Sequence, residues 1–216
     1  LFAIKKPKHL ELIEREYNNY LQIDFPLLSK FYGKISNKND LIIQFICGRS
    51  LSNIKDFHFS DSDKAIILFE IMYIINYLHK NDFVYRDLKP DNIIVDENKL
   101  IFIIDFDRMI KYSNKTDGQN HTADFTTVYM APEVIEGERY NGKADVYSFG
   151  IIMFQILTDT KPYPLFDKGK LNEFNFNQKV VNENYRPSFT VPIKKAMKKL
   201  IEKCWSKDPN ERPTFK

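Results

Sequence analysis

The chain has 216 residues, 43% apolar and 28% charged, so it can bury a substantial core as one domain or as two lobes sharing a cleft. Its net charge of +3 is too small to indicate a nucleic-acid partner. Its two cysteines, Cys47 and Cys204, exclude a disulfide framework or a zinc site and favour a reducing, cytoplasmic (intracellular) compartment. The most apolar helical stretch, residues 65–78, contains Glu70 and Asn76 and is shorter than a bilayer span, so no membrane insertion is expected.

The chain begins with a predicted strand followed by a predicted helix. Residues 1–5, Leu-Phe-Ala-Ile-Lys, form a short apolar strand that ends in Lys5. Residues 9–23 carry apolar side chains at close to helical spacing, which indicates an amphipathic helix. Residues 41–46 predict another apolar strand, and Cys47-Gly48-Arg49-Ser50-Leu51 follows it directly.

A second helix is predicted over residues 63–79. This stretch is apolar on nearly every side, which is typical of a helix buried beneath other helices. Ser60, Asp61 or Ser62 can cap its start, because each offers a side-chain oxygen to the first backbone N–H groups.

Two carboxylates and one amide follow, bracketed by strand-like residues. Asp87 and Asn92 lie in the stretch Val84-Tyr85-Arg86-Asp87-Leu88-Lys89-Pro90-Asp91-Asn92, just before the apolar residues 93–95. Asp105 follows the apolar residues 100–104. The flanking strands predict rigidly held loops. Asp87 can accept a proton from a hydroxyl, and Asn92 and Asp105 offer the hard oxygen ligands that Mg²⁺ prefers when it also binds phosphate.

The second half of the chain contains a polar loop and a further apolar helix. Residues 110–124 are polar and predict a mobile loop. The loop is followed by Thr126-Thr127-Val128-Tyr129-Met130-Ala131-Pro132-Glu133, and a helix is predicted from Asp145-Val146-Tyr147-Ser148-Phe149-Gly150 through Leu157. The last stretch is Cys204-Trp205-Ser206-Lys207-Asp208-Pro209-Asn210-Glu211-Arg212-Pro213-Thr214-Phe215.

These stretches, in this order and over nearly the whole chain, resemble the motifs of eukaryotic protein kinases of the tyrosine-kinase-like Ser/Thr branch. Residues 84–92 are similar to H-R-D-L-K-P-x-N, and Asp105-Phe106-Asp107 is similar to the D-F-G metal motif. The other stretches resemble V-A-I-K, the hinge E-Y-x-x-G-G-S-L, G-T-x-x-Y-M-A-P-E, D-V-W-S-x-G and C-W-x-x-D-P-x-x-R-P-T-F.

The resemblance implies an α+β, bilobal protein-kinase fold. Residues 1–46 would form a small β-rich N-lobe with helix C, residues 47–51 the hinge, and residues 52–216 a larger, mainly α-helical C-lobe. The N-lobe is truncated, because the strands of the Gly-rich loop would precede Lys5. The chain also lacks an initiator methionine, so we expect it to be a segment of a longer protein with flanking domains.

The resemblance also implies a nucleotide site for ATP. Lys5 would contact the α and β phosphates and pair with a glutamate of helix C. Glu16 fits the family's spacing best, with Glu14 second and Glu11 a competitor. Ile43 would be the gatekeeper, and the backbone carbonyl of Gln44 and N–H of Ile46 would bind the adenine edge. The remaining residues assigned to the nucleotide are Ala3, Ile94, Asn92 and Asp105.

The implied reaction is transfer of the γ-phosphoryl group of ATP to a serine or threonine hydroxyl of a protein substrate, in signalling. Asp87 would orient and deprotonate that hydroxyl, and Lys89 would neutralise charge on the transferred group. Asn92 and Asp105 would hold Mg²⁺. Lys89 carries the preference for Ser/Thr, because the tyrosine-specific branch usually has alanine and arginine in this segment.

Several departures keep an alternative open. Tyr85 replaces the usual histidine, Phe125 replaces a glycine, and Asp107 stands where the metal motif has a glycine that permits unusual backbone geometry. Asp107 and the missing Gly-rich loop favour a pseudokinase scaffold, which would bind partners or nucleotide without phosphotransfer. The retained Lys5 and the catalytic carboxylates favour the enzyme. A small-molecule phosphotransferase would lack the segment 126–133, which docks a polypeptide in kinases.

Three further roles follow from the resemblance. Asp145, which could otherwise be a helix N-cap, would hold the catalytic loop from below through backbone N–H groups, and Arg212 would form a buried pair with Glu133. Thr122 would be an activating phosphorylation site, because Arg86 directly precedes Asp87 and the family stabilises such an arginine with a phosphate. The rival hydroxyls are Ser113, Thr116 and Thr127.

Overall fold

The computed structural model of the chain describes residues 1–6, 9–35, 37–112, 127–167 and 169–215, apart from the side chains of residues 54–56 and 167. The chain divides into two compact units, Leu1–Lys111 and Tyr112–Lys216. No helix among the described residues is both long and apolar enough to cross a membrane.

In its described residues, the first unit contains three small antiparallel sheets and two helices. The first sheet has the strand order β1-β3-β2, the second β4-β6-β7 and the third β5-β8. The strands are β1 Phe2–Lys5, β2 Phe31–Ile35, β3 Asp40–Gln44, β4 Gly48–Ser50, β5 Phe83–Val84, β6 Ile93–Asp96, β7 Ile101–Ile103 and β8 Ile110–Lys111. The helices are α1 Leu10–Tyr20 and α2 Asp61–Lys80, and short 3₁₀ turns span Leu51–Asp56 and Pro90–Asn92.

Helix α1 is shorter than the 9–23 predicted from its pattern. It ends at Tyr20 because the N–H groups of Leu21 and Gln22 bond back to the carbonyls of Tyr17 and Asn19, which closes the last turn. Its buried face holds two apolar and two polar residues, which are Ile13, Glu16, Asn19 and Tyr20. Two polar groups in a buried stripe require partners elsewhere in the chain.

Helix α2 begins with a capping box. Ser60 Oγ accepts the N–H of Asp63 at 3.1 Å, and Asp63 Oδ2 accepts the N–H of Ser60 at 2.9 Å. Of the three candidate caps, the structure therefore uses Ser60.

The prediction that helix α2 is buried on nearly every side is wrong. One face is fully buried, including Ile67, Ile71 and Leu78, whereas Ile66, Phe69 and Tyr73 are more than half exposed. The described elements pack against one face only, and the uniform apolar composition could not indicate that difference.

The second unit is mainly helical. Its helices are α3 Pro132–Ile135, α4 Lys143–Thr158, α5 Pro164–Asp167, α6 Glu173–Asn182 and α7 Lys195–Cys204, with 3₁₀ turns at Thr127–Tyr129 and Pro209–Glu211. Helix α4 is buried along almost its whole length. Its N-cap is Gly142, and Asp145 is the third residue of the helix and 1% exposed, so Asp145 is not the N-cap.

The buried pair between Arg212 and Glu133 is present in the second unit. Arg212 Nη1 and Nη2 donate to Glu133 Oε1 and Oε2 at 2.6 and 2.8 Å. The guanidinium also donates to the backbone carbonyls of Ser206, Lys143 and Lys207. A planar fork of donors suits this bidentate arrangement, which joins the start of α3 to the end of the described chain.

Candidate active site

The loop from Tyr85 to Asn92 is held between two short strands in the first unit. Strand β5 ends at Val84, and the turn Pro90–Asn92 leads directly into β6. Arg86 adopts a left-handed backbone conformation, with φ of 72°. Such a conformation is unfavourable for a residue other than glycine, so the surrounding contacts must hold it in place.

Asp87, Lys89 and Asn92 are joined around one carboxylate. Lys89 Nζ lies 3.0 and 2.8 Å from the two carboxylate oxygens of Asp87. Asn92 Nδ2 donates to Asp87 Oδ2 and to the Asp87 backbone carbonyl, both at 2.9 Å. The Asp87 carboxylate is thereby fixed in orientation by two donors, while it remains 8% exposed.

Asp105 is placed beside this loop by backbone bonds. The N–H of Ile104 donates to the carbonyl of Asn92 at 3.0 Å. The hydroxyl of Tyr85 donates to the Ile104 carbonyl at 2.5 Å, and its ring packs edge-on against Phe106. Tyr85 therefore provides a ring and a hydrogen bond beneath the metal motif.

Lys5 lies between two carboxylates. Its Nζ is 2.7 Å from Glu16 Oε2 and 2.9 Å from Asp105 Oδ1. Burial lowers the pKa of Lys5, but the carboxylates of Glu16 and Asp105 outweigh it, so the pKa is raised and the ammonium is retained. Among the candidate glutamates of α1, Glu16 is fully buried, whereas Glu14 and Glu11 are exposed.

The charge of Asp105 is favoured by the same contact. Burial raises its pKa, while Lys5 and hydrogen bonds from Asp107 lower it, and the net shift is downward. Burial raises the pKa of Glu16, and the adjacent Asp105 carboxylate raises it further. Lys5 lowers it, and the net shift is upward. One lysine therefore holds two carboxylates from distant parts of the chain at one point.

Asp107 lies close enough to the Asp105 and Glu16 carboxylates to interact with both. Burial raises the pKa of its carboxyl to about 7, and the neighbouring Asp105 carboxylate contributes further. Arg108 Nε is 4.0 Å from Asp107 Oδ1 and also 4.0 Å from Asp87 Oδ2. Arg108 therefore lies between the metal motif and the loop that carries Asp87.

The residues expected to bind the nucleotide base lie in two sheets and in the connection between them. Ala3 is the register partner of Ile43 on the neighbouring strand, and both are half-buried. Gln44 ends β3, where its N–H donates to the Lys30 carbonyl at 2.7 Å and its side chain accepts the N–H of Lys30 at 3.2 Å. Ile46 lies between β3 and β4, and Ile94 lies in β6. Their contacts to adenine remain predictions.

Asn19 is a site residue that the sequence reasoning missed. It is 5% exposed, and its Nδ2 donates to the carbonyls of Phe106 and Met109 at 2.7 and 2.8 Å. The signal available in the sequence was its position three residues after Glu16, which places a polar side chain on the buried face of α1.

The donor set around Asn92 and Asp105 fits a magnesium ion. The amide nitrogen of Asn92 is directed to Asp87, so its carbonyl oxygen is the atom suited to ligate a cation. Within the described part of the chain, no group of three or more His, Cys, Asp and Glu side chains is arranged to hold a metal. Mg²⁺ is commonly bound in this way, by one or two protein oxygens together with substrate phosphates and water.

The fold and the site together define the protein-kinase class. Residues 3–216 match the Protein kinase domain family, and the chain belongs to that family.

The chain is similar to several named kinases. It is 41% identical to the dual specificity protein kinase shkA of Dictyostelium discoideum over 144 residues, which cover 64% of this chain and 26% of the relative. It is 32% identical to shkD, a dual specificity protein kinase of the same organism, over 99% of this chain and 30% of the relative. It is 35% identical to the serine/threonine-protein kinase STY17 of Arabidopsis thaliana over 65% of this chain and 24% of the relative. The matches span less than a third of these relatives.

Proposed function

We propose that the protein containing this chain transfers the γ-phosphoryl group of ATP to serine or threonine hydroxyls of protein substrates. The observation that carries the proposal is the presence of two side-chain clusters, one around Lys5 and one around Asp87. Lys5 is held by Glu16 and Asp105, and Asp87 is held by Lys89 and Asn92. A pseudokinase scaffold would not need each of these groups in place.

The residues of the chain have distinct parts in this reaction. Asp87 accepts the proton of the acceptor hydroxyl, and Lys89, which lies against that carboxylate, offers positive charge to the transferred group. Lys5 positions the phosphates of ATP. Asn92 and Asp105 would hold Mg²⁺, which neutralises phosphate charge when it is bound.

The nucleotide base would lie against Ala3, Ile43 and Ile94, with the backbone of Gln44 and Ile46 at its edge. The support for this assignment is the pairing of Ala3 with Ile43 and the half-buried state of all three apolar side chains. Half-buried apolar residues offer a surface on which a flat base can pack.

Steady-state ATP turnover of the full-length protein, measured beside an Asp87→Asn variant, tests the proposal. The variant keeps the shape of Asp87 but is a far weaker base, so kcat should fall by about 100-fold or more while the affinity for Mg-ATP changes little. If the protein binds Mg-ATP and its turnover equals that of the variant, the scaffold alternative holds.

The acceptor residue is tested with matched peptides that differ only in Ser, Thr or Tyr. Lys89 favours serine and threonine. The named relatives include dual specificity kinases, so tyrosine belongs in the same series. Phosphorylation of the tyrosine peptide at a rate within about tenfold of the serine peptide would widen the proposal to dual specificity.

A further inference from the structure

Helix α1 binds the segment after Asp105 through three neighbouring side chains. Glu16 Oε1 accepts the N–H of Phe106 at 3.2 Å, while Asn19 Nδ2 donates to the carbonyl of the same residue at 2.7 Å. The Tyr20 ring packs edge-on against the Phe106 ring, with centroids 5.1 Å apart. The backbone donor, the backbone acceptor and the side chain of Phe106 are therefore all held by one face of α1.

Asn19 extends this attachment past the metal motif. Its second bond, to the carbonyl of Met109 at 2.8 Å, means that one amide nitrogen holds the two backbone carbonyls on either side of Asp107 and Arg108. Both contacts are buried, and they join residues 87 and 90 positions apart in the chain. The Phe106 carbonyl also accepts the N–H of Met109 at 3.3 Å, so Asn19 bonds to both ends of a turn that the segment itself closes. Loss of a donor to buried carbonyls is unfavourable, so the attachment fixes the path of the segment.

Asp105 needs such support, because its backbone φ is 67°, in the left-handed region. Its carboxylate must nevertheless stay at Lys5. Arg108, inside the segment that Asn19 brackets, lies 4.0 Å from the Asp87 carboxylate. The position of the segment therefore affects both the expected metal ligand and the surroundings of the catalytic carboxylate.

We propose that Asn19 is a positioning residue that holds Asp105 in the orientation required to bind Mg²⁺ with the nucleotide. The inference rests on the proposed kinase function and goes beyond it, because Asn19 touches neither substrate nor metal. It acts by fixing the Phe106 and Met109 carbonyls. The ion pair between Lys5 and Glu16 is a separate constraint on the same region.

The test is the Mg²⁺ dependence of ADP binding to the full-length protein, measured by calorimetry. The informative quantity is the ratio of the ADP dissociation constants without and with Mg²⁺. Asn19→Leu removes the donor at similar volume, and Asn18→Leu makes the same change at an exposed position of the same helix. Asn19→Ser retains a single donor and serves as the second variant if the leucine variant does not fold.

Asn19→Leu should reduce the ratio by about tenfold, the effect of one strong buried contact, and lower kcat comparably with little change in the KM for a peptide substrate. The ratio for Asn19→Ser should lie between those of Asn19→Leu and the wild type, and the ratio for Asn18→Leu should equal that of the wild type. A merely structural role would lower the melting temperature and leave the ratio unchanged, which would overturn the inference. A wild-type protein that binds ADP equally with and without Mg²⁺ would overturn the proposed function as well.

Discussion

At the scale of single residues, the position that departs most from the kinase motifs is Asp107. The concern was that a glycine is needed there for a backbone that other residues resist. In the structure the left-handed residues of the site are Arg86 and Asp105, with φ of 72° and 67°, and Asp107 is not among the described residues with positive φ. An aspartate therefore fits the backbone at 107 without that strain.

Replacing Asp107 by glycine should consequently change kcat by less than about tenfold, equivalent to about 1.4 kcal/mol of activation free energy. The reason is that the ion pairs of Lys5 with Glu16 and Asp105 hold the metal motif without the side chain at 107, which adds only a hydrogen bond to Asp105. Single-turnover kinetics of Asp107→Gly beside the wild type measure the effect. A gain far above tenfold would show that Asp107 is an inactivating substitution and that the chain has drifted from catalysis.

The raised pKa of Asp107, about 7, predicts a pH-dependent stability. The folded protein binds this proton more tightly than the unfolded chain does, so the contribution of Asp107 to stability is full at low pH. It is lost as the pH rises from the unfolded value of about 4 to about 7.

Asp107→Asn has no such proton. Its melting temperature relative to the wild type, measured without metal, should therefore increase between about pH 4 and pH 7 and stay constant above that range. A difference that does not vary with pH would show that the Asp107 carboxyl titrates normally.

At the scale of elements, the glycine that starts β4 is required by close packing. A Cβ on Gly48 would lie 2.4 Å from the carbonyl oxygen of Val95 and 2.8 Å from Ile94 Cγ2, so β4 and β6 would have to separate. Gly48→Ala should lower the free energy of unfolding by about 1–3 kcal/mol.

Gly33 provides the matched control, because a Cβ there meets nothing within 4 Å. Gly33→Ala should be neutral or slightly stabilising, since alanine reduces the entropy of the unfolded chain. Urea denaturation of both variants gives the comparison. Equal effects at the two positions would mean that the strands adjust without loss.

Periodicity and turn chemistry predicted the elements better than their surroundings. Helix α2 was predicted over 63–79 and spans Asp61–Lys80. Its N-cap, Ser60, was one of the three residues proposed for that position. The exposed face of α2 was not predicted, because exposure depends on which elements pack against the helix. Asn19 was missed for a similar reason: its partners are backbone carbonyls, which have no sequence signature.

At the scale of the whole molecule, a buried ion pair between distant residues should contribute more to stability than an exposed pair within one helix. Arg212 is 1% exposed and bonded to Glu133 by two short contacts, 79 residues apart. Glu133→Ala would leave a buried, uncompensated guanidinium, so we expect a loss of about 3–5 kcal/mol in the free energy of unfolding.

The pair Lys179–Glu183 is the control, because both side chains are more than 40% exposed. Glu183→Ala should cost less than about 1 kcal/mol. Arg212→Lys should also be less stable than the wild type, because an ammonium cannot form both the bidentate pair and the three further bonds to backbone carbonyls. If Glu133→Ala and Glu183→Ala lose the same stability, the buried pair has no special part in the fold.

The motifs predicted the family, and the structure shows that Lys5 pairs with Glu16 and Asp105, while Asp87 is held by Lys89 and Asn92. The choice of Glu16 over Glu14 rested on spacing in the sequence. In the structure the two differ by burial, since a separation of two residues places them on opposite sides of the helix, one buried and one exposed. The adenine contacts could not be predicted from residue chemistry, because backbone groups are expected to make them.

The polar loop of residues 110–124 contains the predicted phosphorylation site. Thr122 lies outside the described residues, as do Ser113 and Thr116, whereas the rival Thr127 is 6% exposed and a poor target for modification in that state. Arg86 precedes Asp87, and its Nη1 donates to the Arg108 carbonyl at 3.4 Å, so the charge lies in the same region as Asp87 and Arg108. In the kinase family, an arginine at this position is stabilised by a phosphate on the loop.

A phosphate on Thr122 would add up to two negative charges and form charge-assisted hydrogen bonds with Arg86. Thr122→Ala should therefore lower kcat/KM by about tenfold or more. Phosphatase treatment should lower the activity of the wild type and leave that of Arg86→Ala unchanged. Steady-state kinetics before and after phosphatase treatment, with Thr116→Ala as the control, measure both effects, and phosphopeptide mapping of the active full-length protein locates the phosphate. An unmodified Thr122 in fully active protein, or an alanine variant with undiminished kcat/KM, would rule out this site and leave Ser113 and Thr116 as the hydroxyls to examine.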